Sequence, residues 1–192
     1  MGDHTIKALT LDTWDAYAAL IEKHNGVWGG CWCTYFHEDT ADDHKKELGG
    51  PGFKKRMVEL GIAHAALVFE DDTVIGWAEY GSPVELPNIY HRKERDASGI
   101  DPATYRITCF FVDRDHRRAG VAYEALQGAL DLIAAAGGGV VESYPNTLVE
   151  GKKTSSSFLH NGTREMFEKA GFDYIRPLGL RKNVVRKTIA AI

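Results

Sequence analysis

Residues 105–133 contain the pattern that most constrains the fold of this chain. The segment Tyr105–Val112 (YRITCFFV) is the most hydrophobic strand candidate, and its end is apolar on both faces, as in a strand at the centre of a sheet. After a short polar segment, apolar residues recur with helical spacing from Ala122 to Ile133, and Gly137–Gly139 end that helix. A central strand followed by a turn and an amphipathic helix is typical of an α/β domain.

Further strand and helix patterns lie on both sides of this unit. The predicted strands are 5–9, 64–70, 73–80, 105–112, 140–144, 172–175 and 184–188, and the predicted helices are 14–26, 40–60 with a break at 49–52, 122–136 and 163–170. Residues 81–103 contain three prolines and predict a long loop or a short helix. The order predicts a single α/β domain over residues 1–192, with a mixed central sheet of about six to seven strands and helices on both faces.

Composition excludes several classes of function. The 192 residues contain 23 Lys and Arg against 27 Asp and Glu, a net charge of −4, so we expect no nucleic-acid partner. No run of 18 apolar residues predicts a membrane span, and no apolar leader follows Asp3, so we expect a cytoplasmic protein. The three cysteines are an odd number, which argues against a disulfide framework.

The turn between the central strand and its helix is the candidate for chemistry. Residues 112–122 (VDRDHRRAGVA) direct free backbone N–H groups and the positive end of a helix dipole at one spot. Gly120 leaves room for a close approach of the backbone, and Ala122 adds little bulk, so a diphosphate fits there. Any strand-to-helix turn also needs small residues, and spacing alone leaves a purely structural turn as an alternative.

At these residues the sequence resembles the GNAT superfamily of acyl-CoA-dependent N-acetyltransferases. The family pattern V-x-P-x-x-R-G-x-G-I-G/A is matched at Val112, Arg117, Gly120, Val121 and Ala122, and it departs at Arg114 and Arg118. A second marker, an aromatic residue ahead of a Gly-Phe pair, is similar to Phe167 with Gly171-Phe172. The Cys-Trp-Cys and Glu-Ser-Tyr-Pro segments look like a less characterised subgroup of that family.

The resemblance implies acetyl-CoA as cosubstrate, no metal, and direct acyl transfer to a primary amine of a small molecule or peptide. The backbone of Phe111 and Val112 would pair with the pantetheine arm, and one of their N–H groups would polarise the thioester carbonyl. The motif that would hold the CoA pyrophosphate comprises Arg117, Arg118, Ala119, Gly120, Val121, Ala122 and Tyr123.

Acid and base residues are less defined by the pattern. Glu79 and Glu142 lie on strands that would flank the cleft and are the candidate bases, although each is also compatible with a solvated glutamate. Glu142 and Tyr144 share one strand face and form a candidate base and acid pair. Members of the resembled family commonly use a tyrosine to protonate the departing thiolate, and that position aligns with Phe167 here. Tyr144 or Tyr123 would take this role instead, or the CoA thiolate would leave without a proton donor. The departure at Phe167 also motivates an alternative, a non-catalytic acyl-CoA-binding module.

The aromatic segment 27–37 borders the acceptor channel in the resembled fold. Trp28, Trp32 and Tyr35 are the candidate substrate-binding residues, as an aromatic wall for an amine. Packing against the sheet and a homodimer contact are alternatives. Cys31 and Cys33 with nearby histidines supply at most three metal ligands, so we predict no metal site and expect buried thiols. His116 and His160 are expected at the surface.

Overall fold

The computed structural model describes residues 4–27, 30–37, 42–148, 151 and 154–192. The strands are β1 (His4–Ala8), β2 (His64–Glu70), β3 (Thr73–Gly81), β4 (Tyr105–Val112), β5 (Gly139–Ser143), β6 (Asp173–Leu178) and β7 (Lys182–Ile189). The helices are α1 (Trp14–Lys23), α2 (Asp42–Glu59), α3 (Arg92–Asp96), α4 (Val121–Ala135) and α5 (Arg164–Lys169). The predicted break in the second helix is observed at Gly49, where φ is 67° within α2.

The strands form one mixed sheet in the order β1-β2-β3-β4-β5-β7-β6. Neighbouring strands are antiparallel except β4 and β5, which are parallel. This confirms the predicted α/β class, the number of strands and the central place of β4. Among the described residues, no helix combines the length and the apolar character needed to cross a membrane.

Two hydrophobic clusters cover the two faces of the sheet. Cys109 and Phe111 of β4 pack with α1 and α2 on one face, whereas Ile107 and Phe110 pack with α4 on the other. The alternation shifts at Thr108 because the register between β3 and β4 is irregular there, where Glu79 opposes Cys109 but Tyr80 opposes Ile107. Both faces of β4 are therefore buried beneath helices, as the apolar sequence of the strand predicts.

Candidate active site

The turn after β4 is fixed to α1 by a buried carboxylate. The side chain of Asp113 accepts hydrogen bonds from Nζ of Lys23 at 2.6 Å and from the backbone N–H of Asp115 at 3.2 Å, and it lies 3.2 Å from Nε2 of His24. Burial alone would raise the pKa of Asp113, but these hydrogen bonds and the charge of Lys23 lower that pKa to about 2. A carboxylate that stays charged at neutral pH therefore holds the turn in place.

The same turn leads into α4 through left-handed backbone. Gly120 caps the helix with φ at 92°, and Arg118 has φ at 67°. The first N–H groups of a helix have no acceptor within the helix, so those of Val121 and Ala122 point out of its N-terminus. Together with the helix dipole they favour an anion at this spot.

A groove of about 530 Å³ begins at this N-terminus and follows the end of β4. All the predicted cofactor residues except Ala119 line it: Phe111, Val112, Arg117, Arg118, Gly120, Val121, Ala122 and Tyr123. Ala119 lies within the same turn between two of these residues. The structure thus brings the predicted set together around one elongated cavity, next to the basic side chains Arg117 and Arg118.

The open edge of β4 lies beside this groove. β4 pairs with β5 only from Tyr105 to Ile107, and residues 108–112 extend beyond that pairing. The N–H of Asp113 donates to the carbonyl oxygen of Ile75 on the β3 side, whereas the N–H of Phe110 donates to the carbonyl oxygen of His160 on the other side. Strand alternation therefore turns the N–H of Val112 toward the open edge and that of Phe111 toward β3. Of the two N–H groups expected to polarise the thioester carbonyl, only that of Val112 is therefore on the open side, since that of Phe111 is directed at β3.

A second cavity, of about 250 Å³, lies next to the first. It is lined by Cys31, Cys33, Tyr35, Phe36, Tyr90, Cys109, Ser157 and His160. Its walls adjoin those of the groove, because Cys109 precedes Phe110 in β4 and His160 follows Leu159 in one turn. The aromatic rings of Tyr35 and Tyr90 stack at its rim with their centroids 5.2 Å apart. The two cavities thus approach each other at β4.

The family of this chain follows from its similarity to known proteins. The profile of the acetyltransferase (GNAT) family matches residues 17–147, which is more than half of the chain. The chain belongs to the GNAT acetyltransferase family. Membership confirms the predicted enzyme class, an N-acetyltransferase. No curated protein matches this sequence significantly.

Solved structures share the fold at low sequence identity. A protein from Desulfovibrio desulfuricans assigned to the GNAT acetyltransferases matches with a TM-score of 0.55 and 18% identity over 98% of this chain and 100% of that chain. A structure from Corynebacterium glutamicum, histone acetyltransferase HPA2 and related acetyltransferase, matches with a TM-score of 0.53 and 14% identity over 100% and 99%. PaiA N-acetyltransferase from Thermoplasma acidophilum, solved in complex with coenzyme A, matches with a TM-score of 0.52 and 13% identity over 97% and 99%.

Glu142 and Tyr144 of this GNAT chain lie together, but in a buried ion cluster. Glu142 is 0% exposed, and it accepts hydrogen bonds from Arg95 at 2.8 and 2.9 Å, from Nε of Arg186 at 2.7 Å and from the hydroxyl of Tyr144. Burial would raise the pKa of Glu142, but hydrogen bonds from Arg95, Tyr144 and Arg186 lower it. Neither residue lines the groove or the second cavity. The geometry therefore argues against the expected base and acid pair, since both groups are saturated by each other and by arginines.

Glu79 is also enclosed by partners. Its carboxylate accepts a hydrogen bond from Nζ of Lys54 at 2.7 Å and another from Oγ1 of Thr108 at 2.9 Å, and it lies 3.4 Å from Nε2 of His37. Burial opposes the charge, but Lys54 and His37 together lower the pKa of Glu79 to about 2. Such a carboxylate is a weak proton acceptor, and it lines neither cavity. This geometry argues against Glu79 as the base and gives it a structural place between α2 and β3.

The predicted aromatic wall is retained only in part. Tyr35 lines the second cavity and is 47% exposed. Trp32 is instead a core residue: it is buried and stacks on Trp14 with the ring centroids 6.2 Å apart. Trp28 lies outside the described residues. For Trp32 the structure favours the alternative of packing, because its side chain lies in the core beside α1, where its backbone is left-handed with φ at 50°.

Three contributors to the second cavity and its supports carry no recognisable motif in the sequence. Tyr90 and His160 line the cavity, and Lys54 supports it by donating a hydrogen bond to the carbonyl oxygen of Cys33 at 3.0 Å. His160 was expected at the surface, but it packs against Tyr90 and Phe36. The signal for His160 is the length of the connection from β5 to α5, because long loops in compact domains are often functional.

Thiol chemistry and metal binding find little support in the described part of the chain. Burial raises the pKa of the Cys31 thiol, and the contact with Cys33 and burial raise that of Cys109. Protonated thiols are poor nucleophiles, which disfavours an acyl-cysteine route. The described residues contain no group of three or more His, Cys, Asp or Glu side chains arranged to hold a metal.

Proposed function

We propose that this GNAT protein transfers an acetyl group from acetyl-CoA directly to a primary amine of a small molecule or peptide. The observation that carries the proposal is the continuous groove from the N-terminus of α4 to the open edge of β4. An anionic diphosphate fits the helix end, and an extended amide-containing arm fits the unpaired strand edge. The second cavity opens beside the same part of β4 and offers room for an acceptor.

In this proposal the backbone does most of the cofactor binding. The N–H groups from Arg118 to Ala122 bind the pyrophosphate, whereas that of Tyr123 donates to the carbonyl oxygen of Gly120 at 2.8 Å. The guanidinium groups of Arg117 and Arg118 add positive charge at the groove. The edge of β4 at Val112 pairs with the pantetheine arm. Its N–H is also the donor that we assign to the thioester carbonyl, where negative charge develops during attack.

The acceptor must reach the thioester as a neutral amine. A lysine-like amine with a pKa near 10.4 is only about 1 part in 2,500 unprotonated at pH 7, so a base that removes a proton accelerates transfer. Attack by the nitrogen lone pair forms the C–N bond, and the C–S bond breaks with its electron pair moving to the CoA sulfur. No covalent enzyme intermediate is required.

A non-catalytic acyl-CoA-binding module is the second candidate, and one observation favours it. Phe167 aligns with the tyrosine that protonates the departing thiolate in the resembled family, and its ring is buried between Phe110 and Phe172, at 5.9 and 4.9 Å between centroids. The two candidates differ in turnover. Binding of acetyl-CoA without release of free CoA above background, across a broad panel of amines, would favour the module.

The first test titrates acetyl-CoA, and desulfo-CoA as a second ligand, into the protein and follows binding by calorimetry. The same titrations are made with two variants substituted at Gly120. Both Gly120→Ala and Gly120→Glu carry the strain of a side chain at positive φ, and a Cβ there meets nothing closer than Oε1 of Glu124 at 3.8 Å. Only Gly120→Glu places a carboxylate against the bound pyrophosphate. We expect it to bind at least about tenfold more weakly than Gly120→Ala, which is about 1.4 kcal/mol. Equal affinity of the two folded variants would refute the placement of the pyrophosphate.

A further inference from the structure

His160 is a histidine of the second cavity that the roles above do not use. It follows the 3-10 turn at 156–159, and its Nδ1 lies 2.6 Å from the carbonyl oxygen of Ser157. A carbonyl oxygen only accepts hydrogen bonds, so Nδ1 carries the proton and Nε2 presents its lone pair. Nε2 is buried and has no hydrogen-bond partner among the residues that the structure describes. The cavity wall therefore contains an oriented proton acceptor.

The surroundings of this imidazole keep it neutral. The rings of Tyr90 and Phe36 pack on it at centroid distances of 5.7 and 6.1 Å. A charged group that acts on it is the ammonium of Lys182 on β7, which lies 4.6 Å from the centre of the Tyr90 ring and donates a hydrogen bond to Asn161. Burial, together with the positive charge of Lys182, lowers the pKa of His160 below its ordinary value.

The other titratable side chains described in the cavity lining carry hydroxyl or thiol groups. They are Cys31, Cys33 and Tyr35 from the segment 30–37, Tyr90 from the loop before α3, and Cys109 from β4. Burial raises the pKa of Tyr90 to about 12 and raises that of the Cys31 thiol. Among the residues that the structure describes, none that lines the cavity is a carboxylate. This part of the lining therefore offers a polycation no counter-ion and presents aromatic rings instead.

The backbone of His160 connects the imidazole to the reaction centre proposed above. Its carbonyl oxygen accepts the hydrogen bond from the N–H of Phe110 at 2.6 Å, and the side chain of the next residue, Asn161, donates to the carbonyl oxygen of Thr108 at 2.5 Å. These two bonds fix the turn against the edge of β4 where that strand has left β5. The lone pair on Nε2 is thereby held on the acceptor side of the strand that the thioester would follow.

We propose that His160 is the general base for a primary amine attached to an aromatic or apolar group bound in the second cavity. The inference rests on the proposed function and names its acceptor class. The neutral amine attacks the thioester carbon, the C–N bond forms, and the C–S bond breaks with its electron pair moving to sulfur. Nε2 takes the surplus proton from nitrogen and returns it to the CoA thiolate, so the products are the amide and CoA with a free thiol.

The test compares His160→Asn with the unchanged protein, using 2-phenylethylamine as the aromatic probe and spermidine as the polycationic one. Asparagine keeps a donor near the carbonyl of Ser157 but removes the acceptor at Nε2. We expect kcat/KM for 2-phenylethylamine to fall by about 100-fold or more, and the acidic limb of its pH profile to lose the ionisation of His160 while keeping that of the amine itself. The calorimetric Kd for acetyl-CoA stays within about threefold, since His160 does not line the groove. His64→Asn, a histidine paired with Glu85 away from both cavities, is the matched control and leaves kcat/KM unchanged.

Each other outcome has a defined meaning. If His160→Asn retains both kcat/KM and the full slope of the acidic limb while the enzyme is active, the base assignment is wrong and the proposed function stands. A preference for spermidine over 2-phenylethylamine would overturn the acceptor class. If CoA binds but no amine is acetylated, both the proposed acetyl transfer and the base role of His160 are overturned. If the unchanged protein does not bind acetyl-CoA, the proposed function itself is rejected. As a second variant, His160→Ala should regain activity with added imidazole, whereas a purely structural role predicts no rescue.

Discussion

At the scale of single residues, the surroundings of a carboxylate decide whether it supports the fold or takes a proton. Glu142 is held by Arg95 on α3 and Arg186 on β7, so it joins two elements that are far apart in sequence. We predict that Glu142→Gln lowers the free energy of unfolding by about 3–5 kcal/mol, because it leaves two buried or half-buried guanidinium groups without a counter-charge. The measurement is urea denaturation followed by circular dichroism.

The matched substitution for this prediction is Tyr144→Phe. It removes only the hydroxyl that donates to Glu142, so we expect a smaller loss, of about 1.5–3 kcal/mol. Under conditions where both variants are folded, each should retain the pH profile of acetyl transfer. A large fall in kcat with unchanged stability in Glu142→Gln would instead return the base role to this carboxylate.

At the scale of secondary structure elements, two buried glycines control how closely α4 approaches the sheet. A Cβ at Gly76 of β3 would lie 2.8 Å from Cγ1 of Val121 and 2.9 Å from the backbone oxygen of Phe111. The three atoms nearest to a Cβ at Gly128 all belong to the side chain of Ile6, with Cγ2 at 2.5 Å. The backbone of a central strand cannot move aside, whereas Ile6 lies on the edge strand β1, is 39% exposed and can shift.

We therefore predict different effects for the same substitution at the two sites. Gly76→Ala should lower the free energy of unfolding by about 1–3 kcal/mol and weaken acetyl-CoA binding, because Val121 is the first residue of α4 and moves with the proposed pyrophosphate site. Gly128→Ala gains helix propensity of up to about 1 kcal/mol and should leave acetyl-CoA affinity unchanged. Urea denaturation and calorimetry measure both effects. Equal losses of affinity in the two variants would contradict the link between this helix end and the ligand.

At the scale of the whole molecule, a structural feature is predictable from the sequence when the residues that form it lie close together along the chain. The unit from β4 through its turn to α4 is predictable because its pattern lies within about thirty consecutive residues and each local preference agrees with the fold. The contacts that assign roles in the site are long-range. Glu142 meets Arg95 across 47 positions and Glu79 meets Lys54 across 25, and no periodicity reveals such pairings. His160 likewise acquires its burial from the loop of Tyr90 and the segment of Phe36.

The charged clusters also make the stability of the whole molecule depend on pH. Glu79, Glu85 and Asp113 each have a pKa lowered to about 2 by hydrogen bonds and charges of their partners. Burial and Lys54 lower the pKa of His37 as well. The unfolded chain regains ordinary pKa values, so it binds more protons than the folded protein as the pH falls. The part of the stability that depends on these four groups is therefore fully present above about pH 7, declines as histidine begins to protonate in the unfolded state, and falls most steeply between about pH 5 and 2.

We predict that the free energy of unfolding, measured in urea at pH 7, 5, 4 and 3, falls at each step, with the largest losses at the lowest pH. Glu79→Gln lowers stability at pH 7 because it leaves the buried ammonium of Lys54 without its counter-charge. It also reduces the slope below pH 5 by up to one proton, about 1.4 kcal/mol per pH unit. Glu59→Gln, at the exposed end of α2, is the control and should leave that slope unchanged. A slope in Glu79→Gln equal to that of the unchanged protein would mean that Glu79 titrates normally in the folded state. In that case Glu79 would again be a candidate base. The proposal for His160 would then lose the argument that the carboxylate of Glu79 is a weak proton acceptor.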